Sequence, residues 1–175
     1  ALAVRLSGKG YPVVAVYSRT RSSAQRLAEA VGGAQIFDKS QGVADAADLV
    51  FITTPDDAIP SVVSHTRWHP GQSVVHCSGA DSTEVLELAK KMGAHVGGFH
   101  PLQTFASLKQ AIDNIPGSTF AIEAEEPLLS TLKQMATALE CNWIKLEADD
   151  KVAYHTAAVM ACNYLVTLVK MATDL

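Results

Sequence analysis

The chain has 175 residues, room for one full-size domain and part of another but too few for two complete ones. Apolar residues make up 48% and charged residues only 18%, so it can bury a sizeable core and is not a disordered chain. Its 14 basic and 18 acidic residues leave a formal charge of −4, which argues against a nucleic-acid binder, since phosphate contacts need a basic face.

In chain order, apolar runs of strand length alternate with stretches of helical period. Residues 1–7 read as the remnant of a helix, closed by Gly8 and Gly10. A β-branched run at 12–17 predicts a strand buried on both faces, followed by a helix at 22–31 and a short strand at 34–37. A brief helix at 40–46, an apolar strand at 48–53 and a helix at 58–65 come next, the last with Pro60 in its first turn. Strands at 73–77, 95–99, 118–123 and 142–146 then alternate with helices at 82–92, 107–112 and 126–140. Residues 149–174 read as one long helix, apolar around most of its circumference from Ala157 onward.

This spacing predicts an α/β fold, a Rossmann-like, mainly parallel sheet with helices on both faces. The composition changes near 147–150, so residues 1–147 are expected to form the sheet domain. Residues 148–175 are expected to be the first helix of an all-helical C-terminal domain, truncated here. The most apolar part of that helix, 157–169, is about 13 residues, short of the ~20 that cross a bilayer, so no membrane segment is expected. Cys77, Cys141 and Cys162 are odd in number and far apart, which points to a reducing cytoplasm rather than a disulfide framework. With no initiator Met, the sequence reads as cut at its beginning.

Four segments can carry chemistry. Gly8-Lys9-Gly10 is not one of them, because it follows a helix and opens a strand, whereas a phosphate-binding G-x-G-x-x-G follows a strand and opens a helix. After the first strand come Ser18, Arg19, Thr20 and Arg21, where a dinucleotide-binding fold that prefers NAD would have a carboxylate. Two guanidinium groups with small hydroxyls suit a 2′-phosphate instead, so NADP is favoured over NAD. Thr53, Thr54 and Pro55 lie at the carboxyl end of the next long strand, where ligands of open α/β sheets bind, with Asp56 or Asp57 reading as the helix cap.

Two further strand ends carry His76-Cys77-Ser78-Gly79-Ala80 and Gly97-Gly98-Phe99-His100-Pro101-Leu102-Gln103-Thr104-Phe105. His100 can titrate near neutral pH and Ser78 can orient it, while Gly79, Gly97 and Gly98 leave space for a ligand. On the last helix His155 shares a face with Val159 and Cys162. Asn163 lies about 80° round from His155, and both, with Gln103, are candidates for a substrate-pocket wall. His65 and His69 have ligand spacing without a carboxylate or cysteine partner, so no metal site is expected.

The succession Ser-Arg-Thr, Thr-Thr-Pro-Asp, His-Cys-Ser-Gly and Gly-Gly-Phe-His-Pro-Leu-Gln-Thr-Phe, with the helix that opens Tyr154-His155, resembles one family of the 6-phosphogluconate-dehydrogenase-like superfamily. That family couples a Rossmann-like NADP-binding domain to a helical C-terminal domain of unassigned function. It lies near deazaflavin-dependent NADP reductases and pyrroline-5-carboxylate reductases. The resemblance implies a strand and Gly-rich loop before residue 1 and further helices after residue 175. Prephenate dehydrogenases are similar in placing a Ser and a His-Pro at successive strand ends, which lends Ser78 and His100 their roles. The Lys one turn before an Asn in the superfamily's hydroxyacid dehydrogenases is Val159 here, so that acid catalysis does not carry over. The expected function is hydride transfer between NADP(H) and a small carbonyl, imine or hydroxyl compound in a homodimer joined by the C-terminal helices. The alternative is a non-catalytic NADP(H)-binding module whose helical half serves dimerisation or sensing.

Overall fold

A computed structural model describes residues 1–104 and 107–174. Helix α1 (Leu2–Gly8) leads to β1 (Ala15–Val16), α2 (Arg21–Ala30), β2 (Gln35–Ile36), α3 (Ser40–Ala46) and β3 (Leu49–Ile52). Then come α4 (Ile59–Ser64), β4 (Ser73–His76), α5 (Glu87–Lys91), β5 (His95–Leu102), α6 (Leu108–Asn114), β6 (Thr119–Ala124), α7 (Leu128–Ala138) and β7 (Asn142–Lys145). The element order is the one expected from the alternation. At the first glycine pair Gly10 has a φ of +87°, the left-handed conformation that ends a helix, so this segment is a helix stop.

Strands β1 and β2 pair in parallel as a two-stranded sheet. The larger sheet has the order β3-β4-β5-β6-β7. Its pairings are parallel except β5 with β6, which run antiparallel over Gly97–Leu102 and Thr119–Ala124. Within the sheet, side chains alternate between two cores. Val75, Phe99, Phe120 and Ile122 point to the side covered by α7, whose Leu128, Leu132 and Met135 complete that core, with Phe99 and Phe120 stacked at 4.1 Å. Val50, Ile52 and Val74 point to the other side, against Ile59 and Val63 of α4 and against Leu86 and Ala89. Burial on both faces is why these strands read as continuous apolar runs.

The last helical run begins with α8 (Lys151–Val159), widens into a π-helical turn (Met160–Tyr164) and continues as α9 (Leu165–Thr173). Together with the turn before it, the run covers Ala148–Thr173, 26 residues, long and apolar enough by length and composition to cross a bilayer. The sequence reading measured only the uninterrupted apolar stretch and so understated this length. Among the described residues of the run, Lys151 alone is buried, while Val166, Leu168 and Met171 stand more than half exposed.

Candidate active site at the carboxyl edge of the sheet

The site is built by strand register. Residues directly opposite each other on neighbouring strands share a face, and the pairings put His76 of β4 beside Gly98 of β5, and Gly98 beside Glu123 of β6. His100 lies two residues further along β5 and therefore faces the same way. One row across three strands thus carries an imidazole, a gap and a carboxylate, with a second imidazole one step beyond the gap.

The start of the terminal helix covers this row. Lys151, Tyr154 and His155 stand at helical spacings i, i+3 and i+4 and so share a helix face. A Cβ placed on Gly98 would lie 3.1 Å from Lys151 Nζ and 3.4 Å from His76 Nε2, so the ammonium occupies the space that Gly98 leaves. Lys151 Nζ stands 3.5 Å from Glu123 Oε2, with both side chains almost fully buried. The other carboxylate oxygen, Glu123 Oε1, accepts from Thr83 N–H at 3.0 Å and from Thr83 Oγ1–H at 2.7 Å. Burial lowers the Lys151 pKa, and the Glu123 carboxylate opposes that shift.

The two strand histidines are held neutral. Burial, then the Lys151 charge, lowers the pKa of His76 and of His100 to about 4 in each case. Ser78 N–H donates to His76 Nδ1 at 3.2 Å, so in neutral His76 the ring proton sits on Nε2. His100 Nδ1 lies 3.0 Å from Tyr154 Oη, and burial keeps that phenol protonated by raising its pKa to about 12. The opposite nitrogen, His100 Nε2, reaches over Gly79: a Cβ there would lie 2.7 Å from it and 2.9 Å from His155 Nδ1. Among the described residues, the buried His155 Nδ1 has no hydrogen-bond partner. Two ring nitrogens therefore converge above a glycine, with Tyr154 hydrogen-bonded to the far nitrogen of one of them. Such a group can accept a proton from a hydroxyl, or hydrogen-bond a developing oxyanion or amine.

Several sequence expectations change. Ser78 does not orient His100; its Oγ accepts from Ala80 N–H and Asp81 N–H and caps the turn, and Tyr154 holds His100 instead. Of the three glycines, only Gly79 faces His100 and His155. Gly97 is closed by Leu128 and Ala124, at 3.1 and 3.3 Å from an added Cβ, and Gly98 by Lys151. Gln103 is exposed and tied to its own loop through Thr104 N–H at 2.9 Å, and Phe105 lies outside the described residues. Asn163 is exposed on the π-helical turn, eight residues along the run from His155. Cys77 is half-buried after β4, and burial raises its thiol pKa to about 12.

Lys151 and Glu123 were missed. The signal for them was present: Glu123 is the one carboxylate in an otherwise apolar strand, and a lone Lys opens an apolar helix.

The other strand ends form an exposed ledge. Arg19, Thr20 and Arg21 are exposed and Ser18 is half-buried, with Ser18 Oγ accepting from Thr20 N–H at 3.3 Å. Arg21 Nη1 pairs with Asp38 Oδ1 at 2.6 Å. Thr53, Thr54 and Pro55 are exposed beyond β3, with Asp56 in the 3₁₀ turn that follows. His65 bonds back to its own helix through Ser61 O at 2.7 Å, and His69 pairs with Asp45 at 3.1 Å, so the two rings serve local contacts.

Comparison with known proteins agrees with this architecture. The Rossmann-like domain family matches residues 1–101, and a domain of unknown function, DUF2520, matches residues 118–175. BF3122 of Bacteroides fragilis, provisionally assigned as an NADP oxidoreductase, is 29% identical with a TM-score of 0.79, over 99% of this chain and 66% of that one. TM1727 of Thermotoga maritima is 27% identical with a TM-score of 0.75, over 99% of this chain and 65% of that one. A reductive aminase from Aspergillus terreus, solved with NADPH and ethyl-5-oxohexanoate, shares the fold at 16% identity and a TM-score of 0.79, covering 99% of this chain and 60% of that one. The chain thus spans just under two thirds of the length of the first two structures. No curated protein matches it.

Proposed function

Because the chain belongs to the Rossmann-like domain family, we propose that it binds NADP(H) across the carboxyl edge of its sheet and acts as an oxidoreductase on a small carbonyl, imine or hydroxyl compound. NADP(H) supplies the hydride; the chain supplies position and proton handling. Two guanidinium groups and the hydroxyls of Ser18 and Thr20, all at one strand end, fit a 2′-phosphate by donor chemistry. Thr53, Thr54 and Pro55 would border the cofactor further along the same edge, and Gly79 lets a ligand approach the backbone after β4. The relatives' own names support the cofactor, since BF3122 is provisionally an NADP oxidoreductase and the aminase was solved with NADPH.

The observation that carries the catalytic reading is the convergence of His100 Nε2 and His155 Nδ1 over Gly79. His100, neutral and oriented by Tyr154, is the group proposed to exchange a proton with the substrate oxygen or nitrogen. His155 would hold the same atom. Residues 1–147 would form the nucleotide-binding domain and 148–175 the start of a helical one. The protein would be soluble and cytoplasmic, with a second copy of the chain covering the exposed apolar residues of α9.

The test replaces His100 with Asn and follows NADPH oxidation against a panel of small ketones, imines and keto acids. Turnover should vanish while NADPH affinity stays within about twofold. Turnover equal to the parent's would overturn the assignment. An absence of turnover in the parent against the whole panel, with NADPH still bound, would favour the non-catalytic module.

A further inference from the structure

We propose that Lys151 is a positioning residue: its ammonium, seated in the gap that Gly98 leaves between His76 and Glu123, fastens the first turn of the terminal helix to the sheet and thereby sets Tyr154 and His155 against His100. This rests on the reading of His100 as the reacting group, but the contacts that carry it stand apart from any substrate.

Three observations converge. First, among the described residues of a 26-residue helical run, the buried one is a lysine. A helix held by packing would bury its apolar side chains. Here Val152 is 73% exposed while Lys151, the residue before it, is 1% exposed. Second, the receptacle is assembled by register across three strands, and its central position is a glycine. Any side chain at 98 would meet the ammonium, so the gap and the lysine fit each other. Third, the anchor lies one turn before the residues it would place. Tyr154 and His155 follow at i+3 and i+4, so fixing Lys151 against the sheet fixes the face that carries them.

A charged pair is a poor choice for stability alone, because a well-packed apolar pair of the same volume is often as stable or more so. What it supplies is a unique register. A lysine stem crossing the helix–sheet gap and ending on one carboxylate admits one seating of the helix, where an apolar contact would admit several. Lys151 Nζ, Glu123 Oε2 and His76 Nε2, each without a full hydrogen bond among the described residues, surround the gap with donors and an acceptor. The charge also reaches His100, which is faced by Tyr154 and His155 from the helix, by Lys151 and His76 from the row beneath it, and by Asp56 from the turn after β3.

The test uses the paired replacement Lys151→Met with Glu123→Gln, which removes both charges and leaves no lone buried ion. It is read by nuclear magnetic resonance on the free protein. In the parent, the His100 and Tyr154 rings, 5.8 Å apart between centroids, should give a cross-peak. In the paired variant the amide spectrum of the sheet should persist, that cross-peak should disappear, and the His100 titration midpoint should rise by about one pH unit. Gly98→Val approaches the same contact from the strand side with a side chain that reaches past the Cβ into the ammonium's seat, and should also abolish the cross-peak, with Lys151 and Glu123 both unaltered. A retained cross-peak and an unmoved His100 midpoint in a folded variant of either kind would overturn the proposal. Neither readout needs substrate or cofactor, so a failed His100→Asn turnover assay would leave this result standing.

Discussion

Two sets of strand ends, one following β1 and β3 and the other following β4 and β5, behave differently. The ledge at Ser18–Arg21 and Thr53–Pro55 is exposed, and its strongest contact is an ion pair, Arg21 with Asp38, whose side chains are 67% and 85% exposed. The pocket at Gly79 and Gly98 is closed by a helix and contains a buried ion pair and two imidazoles held neutral. The ledge meets water and can lose a charge at little cost, because solvent screens what remains. In the pocket every charge has been stripped of water, so each depends on a particular neighbour.

The largest effect should follow from breaking the buried pair on one side only. Glu123→Ala leaves the Lys151 ammonium buried without a counter-charge and deprives Thr83 N–H and Oγ1–H of their acceptor. We expect a loss of about 3–5 kcal/mol, measured by denaturant unfolding. Arg21→Ala on the ledge should leave the unfolding midpoint unchanged within error, and an equal loss at the two sites would erase the contrast.

Next comes Gly79→Ala. Its Cβ would fall within 2.7–2.9 Å of ring atoms of His100 and His155, so both imidazoles must move. The expected cost is about 1–3 kcal/mol in stability and on the order of a hundredfold in turnover. A fully active Gly79→Ala protein would remove Gly79 from the site.

The pH dependence is graded. Buried His76 and half-buried His100 have pKa values near 4, against an ordinary 6.5 in the unfolded chain. Above pH 6.5 neither state binds these protons and the pair has no influence. Between 6.5 and 4 the unfolded chain takes up protons that the native state refuses, so stability falls as pH falls and levels off below 4. Thermal melts from pH 7 to 4 should show this decline, and the His76→Phe variant should flatten part of it.

The same contrast explains what could be read from residues alone. The ledge was legible because it is local: a basic Ser-Arg-Thr-Arg segment after a strand has the same meaning wherever the sheet lies. The layers were legible too, since Val74 and Val75 must face opposite cores in a sheet covered on both sides. The pocket was legible only in its parts. His100 and Gly79 stood out, but Gly98 was read as room for a ligand when it is room for Lys151. Nothing in a local pattern gives the direction of a strand pairing, and the antiparallel β5–β6 register is what puts Glu123 beside Gly98. Ser78 was given to His100 because both lie at strand ends, yet a hydroxyl two residues before backbone N–H groups is satisfied by its own turn first.

The smallest effect on stability, and the sharpest on selectivity, belongs to the ledge. If Arg19 and Arg21 receive a 2′-phosphate, removing either guanidinium deletes a charge-assisted contact that NADPH makes and NADH does not. Arg19→Ala should therefore weaken NADPH by about tenfold to a hundredfold, and NADH by less than about twofold, in titrations monitored by cofactor fluorescence. Arg21 starts in a pair with Asp38, so the phosphate must compete with that carboxylate. Asp38→Asn should then tighten NADPH slightly without affecting NADH, a change in the opposite direction from the arginine variants and from a site no further than one salt bridge away. Equal losses for both cofactors in Arg19→Ala, together with no gain in Asp38→Asn, would reduce the ledge to a solvated strand end and leave the enclosed pocket without its proposed cofactor neighbour.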